Sequence, residues 1–296
     1  MPAQRLKIAI QKSGRLADDS LKLLAKCGIS LTRGKDQLFC TSPNFPLDIY
    51  FVRDDDIPSF VSSHTCQIGI VGENILNENK FNEFTPEMSD LDTIMPLGFG
   101  KCRLSLAAPN DLKYVTIKDI EKKTIATSYP FTLKNFLREQ NIDARIVTMS
   151  GAVEIAPRIK MADAICDLVS TGGTLVANGL KELDVIVQSQ AVLIKNNNLQ
   201  PPENDILNRF IMRIKGVMEA EQRKYIMLNA PISALESIKK ILPGSDSPTI
   251  IPLQGRDDMV AIHAVCMENV FWETMEDLKS CGASAILVVP IEKMLN

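Results

Sequence analysis

Ser170, Thr171, Gly172, Gly173 and Thr174 follow an apolar run at 166–169 that suits a buried strand, and they precede a helix-like segment. Their backbone N–H groups and three hydroxyls, gathered at a helix start, form a donor-rich hollow for a phosphate. Glycine allows close backbone approach where a side chain would block it. Asp167 stands just before the turn, and Glu154 and Asp163 precede it. Donors beside acceptors suit a sugar phosphate, whose phosphate takes N–H groups while its hydroxyls need acceptors. The same composition also serves as an ordinary strand-to-helix connection; the acidic flank favours the ligand-binding reading.

Three more polar turns carry chemistry-bearing residues in a similar setting. Gln11-Lys12-Ser13-Gly14-Arg15 follows a strand-like run at 6–10, Arg53-Asp54-Asp55-Asp56 follows 47–52, and Gly72-Glu73-Asn74 follows 67–71. A strand that feeds a polar turn and then a helix is the pattern of an α/β domain with ligands at the carboxyl ends of its strands. Lys12 and Arg15 read as solvated turn charges or as ligand cations, and their place after the first strand favours the second. Asp54, Asp55 and Asp56 read as caps for the helix that Ile57-Pro58 opens or as metal ligands, with capping preferred for at least one. Glu73 stands between a helix-start residue and a substrate contact. Asp163 reads as structural, paired with Arg158. Tyr129, before Pro130, is either core or a ring face for a ligand.

The positioning elements form three blocks. The first is α/β over 1–94. A second, 95–181, repeats that logic with strands at 104–107, 124–127, 144–148 and 166–169 and a helix at 129–141. A β-rich run at 183–194 returns to the first block, so 182–205 belongs with 1–94 and a cleft lies between two lobes. Residues 196–205, polar and with Pro201-Pro202, read as a linker, and apolar spacing over 206–222 predicts a connecting helix. From 223 to 296 the order strand, helix, strand, strand, helix, strand is that of a ferredoxin-like βαββαβ domain.

Composition excludes several classes. At 296 residues and a net charge of −3 the chain has room for several cores and no global attraction to nucleic acid. With no apolar run of membrane length and no signal-like start, a cytosolic protein without membrane or nucleic-acid partners is expected. The seven cysteines contain no Cys-x-x-Cys pair and read as reduced thiols. With only two histidines, a His/Cys metal site is not expected, and His263 and Cys266 read as core.

Residues 151–154 and 162–175, together with Gln11-Lys12-Ser13-Gly14-Arg15-Leu16, the segment 52–58, Gly72-Glu73-Asn74 and Thr127-Ser128-Tyr129-Pro130, carry a resemblance. In this order they are similar to the ATP phosphoribosyltransferases of histidine biosynthesis, in the long form with a C-terminal regulatory domain. The resemblance spans nearly the whole chain. Gly173 departs from it, since alanine commonly stands there; glycine keeps the N–H donor.

The resemblance implies two catalytic lobes similar to type II periplasmic binding proteins and an ACT-like third domain that senses histidine as feedback inhibitor. It implies ATP and phosphoribosyl pyrophosphate as substrates, Mg²⁺ as cofactor with its ligands unidentified, and a homo-oligomer exchanging between dimer and hexamer. Asp167, Leu168, Val169, Ser170, Thr171, Gly172, Gly173 and Thr174 would then hold the ribose phosphate. Lys12, Arg15 and Arg53 would face the pyrophosphate. Asp167 and Glu154 would take ribose hydroxyls or hydrated Mg²⁺. Gln11, Ser13, Gly14, Glu73 and Tyr129 are expected toward ATP, and Asn229 and Ala230, after the third domain's first strand, toward histidine. Two other classes compete: a solute-binding or sensing protein of the same lobed fold, and a purine-salvage phosphoribosyltransferase with a comparable turn.

Overall fold

The computed structural model describes residues 4–32, 34, 37–82, 90–242, 248–267 and 272–295. The chain divides into two compact units, 1–25 with 29–206, and 26–28 with 207–296. In the first, β1 (Leu6–Gln11) leads to α1 (Arg15–Lys26), β2 (Phe39–Thr41), β3 (Leu47–Val52), α2 (Ile57–Ser62), β4 (Ile68–Gly72), α3 (Glu73–Lys80) and β5 (Leu91–Pro96). The chain then forms β6 (Cys102–Pro109), β7 (Thr124–Thr127), α4 (Pro130–Glu139), β8 (Arg145–Thr148), β9 (Ala164–Val169), α5 (Gly173–Ala177), β10 (Leu180–Ser189) and β11 (Ala191–Asn196).

Two sheets result, ordered β2-β3-β1-β4-β11-β5 and β10-β6-β9-β7-β8. β1 pairs in parallel with both β3 and β4, and β7 pairs in parallel with β8 and β9. Leu6, Ile8, Ala9 and Ile10 are all fully buried, as expected for a central parallel strand covered on both faces. The parallel register brings the carboxyl ends of β1 and β3, and so the turns after them, to one end of the first sheet. The ends of β7 and β9 meet likewise in the second.

The chain changes sheets twice, at 97–101 between β5 and β6 and at Gln190 between β10 and β11. The expected return near 182 therefore falls later, because β10 pairs with β6 from Leu180 to Ser189. The run 183–194 contains no glycine or proline to mark the change of sheet. Glu73 pins the second crossing twice: its N–H donates to the Gln190 carbonyl, and its carboxylate accepts from the Gln190 N–H.

α6 (Pro201–Glu221) begins inside the stretch expected to be a linker. Pro201 and Pro202 occupy the first turn, where an N–H has no intrahelical partner to lose, and the Glu203 carboxylate reaches back to the Gln200 N–H at 2.8 Å. The second unit continues with β12 (Arg223–Pro231), α7 (Leu235–Ile241), β13 (Thr249–Leu253), β14 (Arg256–Met267), α8 (Trp272–Ser280) and β15 (Ser284–Pro290). Its antiparallel sheet is ordered β13-β14-β12-β15, the ferredoxin-like arrangement. Ile226, Leu228 and Ile262 of this sheet, with Ile238 and Leu278 of the helices, form its core. Cys266 belongs to that core as expected, whereas His263 lies on the opposite face, its Nδ1 bonded to the Tyr225 hydroxyl at 3.0 Å.

Gly216 of α6 shows why a helix-weakening residue stands in mid-helix. A Cβ there would lie 2.8 Å from the Met294 carbonyl oxygen, and the Met294 N–H donates to the Gly216 carbonyl. Gly216→Val is expected to displace the terminal segment 291–295, seen as faster amide exchange there and a loss of about 1–3 kcal/mol in stability.

Candidate active site

Between the two sheets of the first unit lies a cavity of about 550 Å³, lined among others by Gln11, Arg15, Asp54, Asn74, Lys101, Cys102, Leu168 and Ser170. An adjoining hollow of about 380 Å³ shares Lys101, Cys102 and Ser170 and adds Glu73, Arg103 and Gln190. The first-strand turn and the Ser170 turn thus meet across one space. Arg15 Nη1 donates to Ser170 Oγ at 2.9 Å, joining residues 155 positions apart.

The Ser170 turn is exposed and bends at Gly172, whose φ of +83° is the left-handed conformation that glycine adopts without strain. α5 is a single short turn of five residues, so the donors that matter are its N–H groups and the hydroxyls, with little from a helix dipole. Thr171, Gly173 and Thr174 are exposed, while Val169 is core and offers only its backbone.

Asp167 sits at the inner edge of this turn. Burial, joined by the negative charge of Glu154, pushes its carboxyl up to about 6 against the stabilising hydrogen bond from the Leu168 N–H. Glu154 lies in the tight helical turn Val153–Ile155 that follows Ala152, itself at φ +50°. The two carboxylates therefore feel one another, as a pair sharing a cation or a diol would. Among the described residues no group of three or more His, Cys, Asp or Glu side chains is placed to hold a metal. Two carboxylates still suit Mg²⁺ carried in on substrate phosphates, since that ion keeps waters and takes few protein ligands.

The other expected residues are distributed unevenly. Gln11 lines the cavity, and Ser13 and Gly14 are exposed beside it, Gly14 at φ +96°. Lys12 is exposed, its N–H donating to the Val52 carbonyl, and Arg53 is exposed in extended conformation; neither lines the cavity. Asp54, Asp55 and Asp56 form a 3₁₀ turn without any side-chain cap bond, so capping is not their role. Asp54 faces the cavity instead, and burial together with Asp54 and Asp56 raises the Asp55 carboxyl. Asp163 is structural by a different bond from the one expected, accepting from the Thr124 N–H.

Tyr129 packs against the hydrophobic cores of both sheets, and its hydroxyl accepts from Asn74 Nδ2 at 3.1 Å. Burial and the nearby Asp167, Asp54 and Asp55 raise its phenol, and the ring stands behind Asn74, which lines the cavity where Tyr129 does not. In the second unit, Asn229 and Ala230 lie within β12 and not after it, and Ala230 is wholly buried in the core. Any contact from Ala230 to a ligand would therefore be through its backbone.

Asn74, Lys101 and Arg103 escape the sequence reading. Lys101 ends the glycine-bearing stretch Gly98-Phe99-Gly100, with Gly98 at φ +78° and Gly100 at +64°. Those glycines are the one signal in the sequence that a functional crossing was near. Asn74 reads in the sequence only as part of the polar turn after 67–71, yet its buried amide bonds both Ser189 and Tyr129.

Comparison with known proteins fits this geometry. A family model described as HisG: ATP phosphoribosyltransferase matches residues 53–216, and one described as HisG, C-terminal domain matches 220–293. An ATP phosphoribosyltransferase of Maricaulis maris (strain MCS10) is 49% identical over 292 residues, 98% of this chain and 99% of the relative. Among solved structures, the ATP phosphoribosyl transferase (HisG:HisZ) complex from Thermotoga maritima superposes with a TM-score of 0.58 and 25% identity, over 71% of this chain and 98% of that one. Tv2483, crystallised with L-arginine, shares the lobed fold at a TM-score of 0.50 and 12% identity, over 74% of this chain and 87% of that one.

Proposed function

Because the chain belongs to the ATP phosphoribosyltransferase family of histidine biosynthesis, a pentosyltransferase family, we propose that its cleft joins N1 of the ATP adenine to C1 of phosphoribosyl pyrophosphate. The observation that carries this reading is the meeting of Arg15 with the Ser170 turn across one cavity, beside the carboxylate of Asp167.

The turn at 170–174 holds the 5′ phosphate, and Asp167 with Glu154 accepts from the ribose hydroxyls. Arg15 and Lys101, with Arg53 and Lys12 at the rim, draw the pyrophosphate to the side of the first sheet. Gln11, Ser13, Gly14 and Glu73 lie toward ATP, and Tyr129 supports the adenine side from behind Asn74. Family chemistry uses a divalent metal; Mg²⁺ on the pyrophosphate would neutralise the leaving group, with Asp167 and Glu154 as its protein-side partners. The C1–O bond breaks with its electron pair leaving on pyrophosphate, and the N1 lone pair forms the new C1–N1 bond. The proton lost from adenine N6 needs no strong base, so a cleft without histidine is adequate. Alignment and charge neutralisation supply the rate.

The second unit serves as the ACT-like histidine sensor, supported by the match of the C-terminal family model at 220–293. A homo-oligomer exchanging between dimer and hexamer accompanies that control. Purified protein given ATP, phosphoribosyl pyrophosphate and Mg²⁺ should form phosphoribosyl-ATP, and added histidine should slow it. Product from adenine in place of ATP would favour salvage, and tight binding without turnover would favour a solute receptor. Thr171→Ala or Thr174→Ala should raise the KM for phosphoribosyl pyrophosphate about tenfold, with the KM for ATP nearly unchanged. Equal rises in both would reverse the division of the cleft.

A further inference from the structure

Arg103 of β6 is not itself among the expected ligand residues, yet its guanidinium is engaged through Nε, Nη1 and Nη2. Its Nε and Nη2 donate to the two carboxylate oxygens of Glu182 on β10 at 2.5 and 2.6 Å. Glu182 also accepts from Ser105 Oγ at 2.7 Å, and Ser105 is wholly buried opposite Asp167 in the β6–β9 register. The remaining arm, Nη1, donates to the backbone carbonyl of Ser170 at 3.2 Å. The fork is thus fixed by one carboxylate, and its free edge rests on the first residue of the phosphate turn.

We infer that Arg103 is a positioning residue that holds the Ser170–Thr171 peptide in its phosphate-donating orientation. This rests on the reading of 170–174 as the phosphate turn. A trans peptide is planar, with C=O and N–H on opposite sides, so fixing the Ser170 carbonyl toward Arg103 fixes the Thr171 N–H away from it. Further along the turn the Gly172 and Thr174 carbonyls accept from Val176 and Asn178 of the turn's own following segment, which moves with them and does not tie the turn to the sheet. Orientation therefore enters at Ser170, whose carbonyl is held by Arg103 and whose hydroxyl is held by Arg15. The two cations have different tasks. Arg15 faces the cavity and exchanges its hydroxyl partner for a substrate oxygen. Arg103 is neutralised by Glu182 and keeps its carbonyl partner throughout. Lysine could keep an ion pair with Glu182 but cannot also reach the carbonyl in a fixed fork.

The test uses the full-length chain and its Arg103→Ala and Arg103→Lys variants. The two KM values are measured separately, ribose 5-phosphate binding is followed by calorimetry, and thermal midpoints are recorded. Both variants should raise the KM for phosphoribosyl pyrophosphate tenfold or more and weaken ribose 5-phosphate binding to a similar degree, with the KM for ATP within about twofold. The lysine variant should do so with a near-parental midpoint, which a purely structural ion pair would not. A lysine variant with parental KM values, or parallel rises for both substrates, overturns the inference. Absence of transferase activity in the parent protein would overturn the proposed reaction instead, and ribose 5-phosphate binding would still decide the role of Arg103.

Discussion

Asp167→Asn is expected to lower kcat/KM by about 10²-fold or more while making the protein more stable at pH 8. On the proposed reaction the loss follows from removing a charged acceptor, worth about 1.5–3 kcal/mol per hydrogen bond, for the ribose and the metal-bearing pyrophosphate. The gain follows from the carboxyl's elevation to about 6 by burial and by Glu154. An unfolded aspartate titrates near 3.9, so the fold disfavours the ionised form. The stabilising contribution is present below about pH 4 and lost as pH rises through about 6. At pH 8 the ionised carboxylate costs on the order of 1–3 kcal/mol, which asparagine relieves while still accepting from the Leu168 N–H. Thermal midpoints of the two proteins should coincide near pH 4 and diverge toward pH 8. A midpoint difference independent of pH would show that Asp167 is not the strained group. Substrate and metal should reverse the strain, so affinity for phosphoribosyl pyrophosphate in the parent protein should climb as pH passes about 6.

Glu78→Ala and Glu78→Gln are both expected to loosen the two-sheet unit by about 1–3 kcal/mol, a fall of roughly 3–10 °C in midpoint. Glu78 ends in a carboxylate that accepts from the Phe131 N–H at 2.8 Å, the Thr132 N–H at 2.9 Å and the Thr132 hydroxyl at 2.7 Å. It is thus the cap of α4, supplied from α3 on the other side of the cleft. An amide cannot substitute, since its NH₂ would face a donor, so glutamine should be nearly as harmful as alanine. A silent Gln variant would mean that water caps α4 equally well. Tyr129 is the residue on which α4 starts, so kcat/KM should fall with the cap.

The α/β order, the strands at 6–10, 47–52 and 124–127 and the βαββαβ tail were legible because each rests on local periodicity and local turns. The placement of the Ser170 turn and Arg15 at the carboxyl ends of strands, on one cavity, was legible for the same reason, since both follow a strand–turn–helix pattern. Contacts between distant residues were not. Arg103 and Glu182 are 79 positions apart, and Glu78 reaches Thr132 across 54, so nothing in their neighbours marks them. Pro201-Pro202 misled by composition: the pair that breaks a helix interior is compatible with a helix start. Asp54–Asp56 misled by position, because a Pro-led helix after a 3₁₀ turn leaves the acidic side chains free of its N–H groups.

The two crossings between the sheets differ in length, and this governs how the cleft can move. One tether is the single residue Gln190, stitched at both its N–H and its carbonyl to Glu73; the other is the five-residue stretch 97–101, with left-handed glycines at 98 and 100. The first leaves almost no slack, and the second is tied to the adjacent Ala191, which accepts from the Leu97 N–H and donates to the Phe99 carbonyl. Opening is therefore expected to be a swing about the paired crossings at Gln190–Ala191 and 97–99, with the bend taken up at the left-handed glycines 98 and 100. Sliding of one sheet along the other has no such give. On this view the Ser170 turn travels on an arc whose radius is its distance from those crossings. A substrate spanning from Ser170 to Arg15 would then fix the angle of the whole joint.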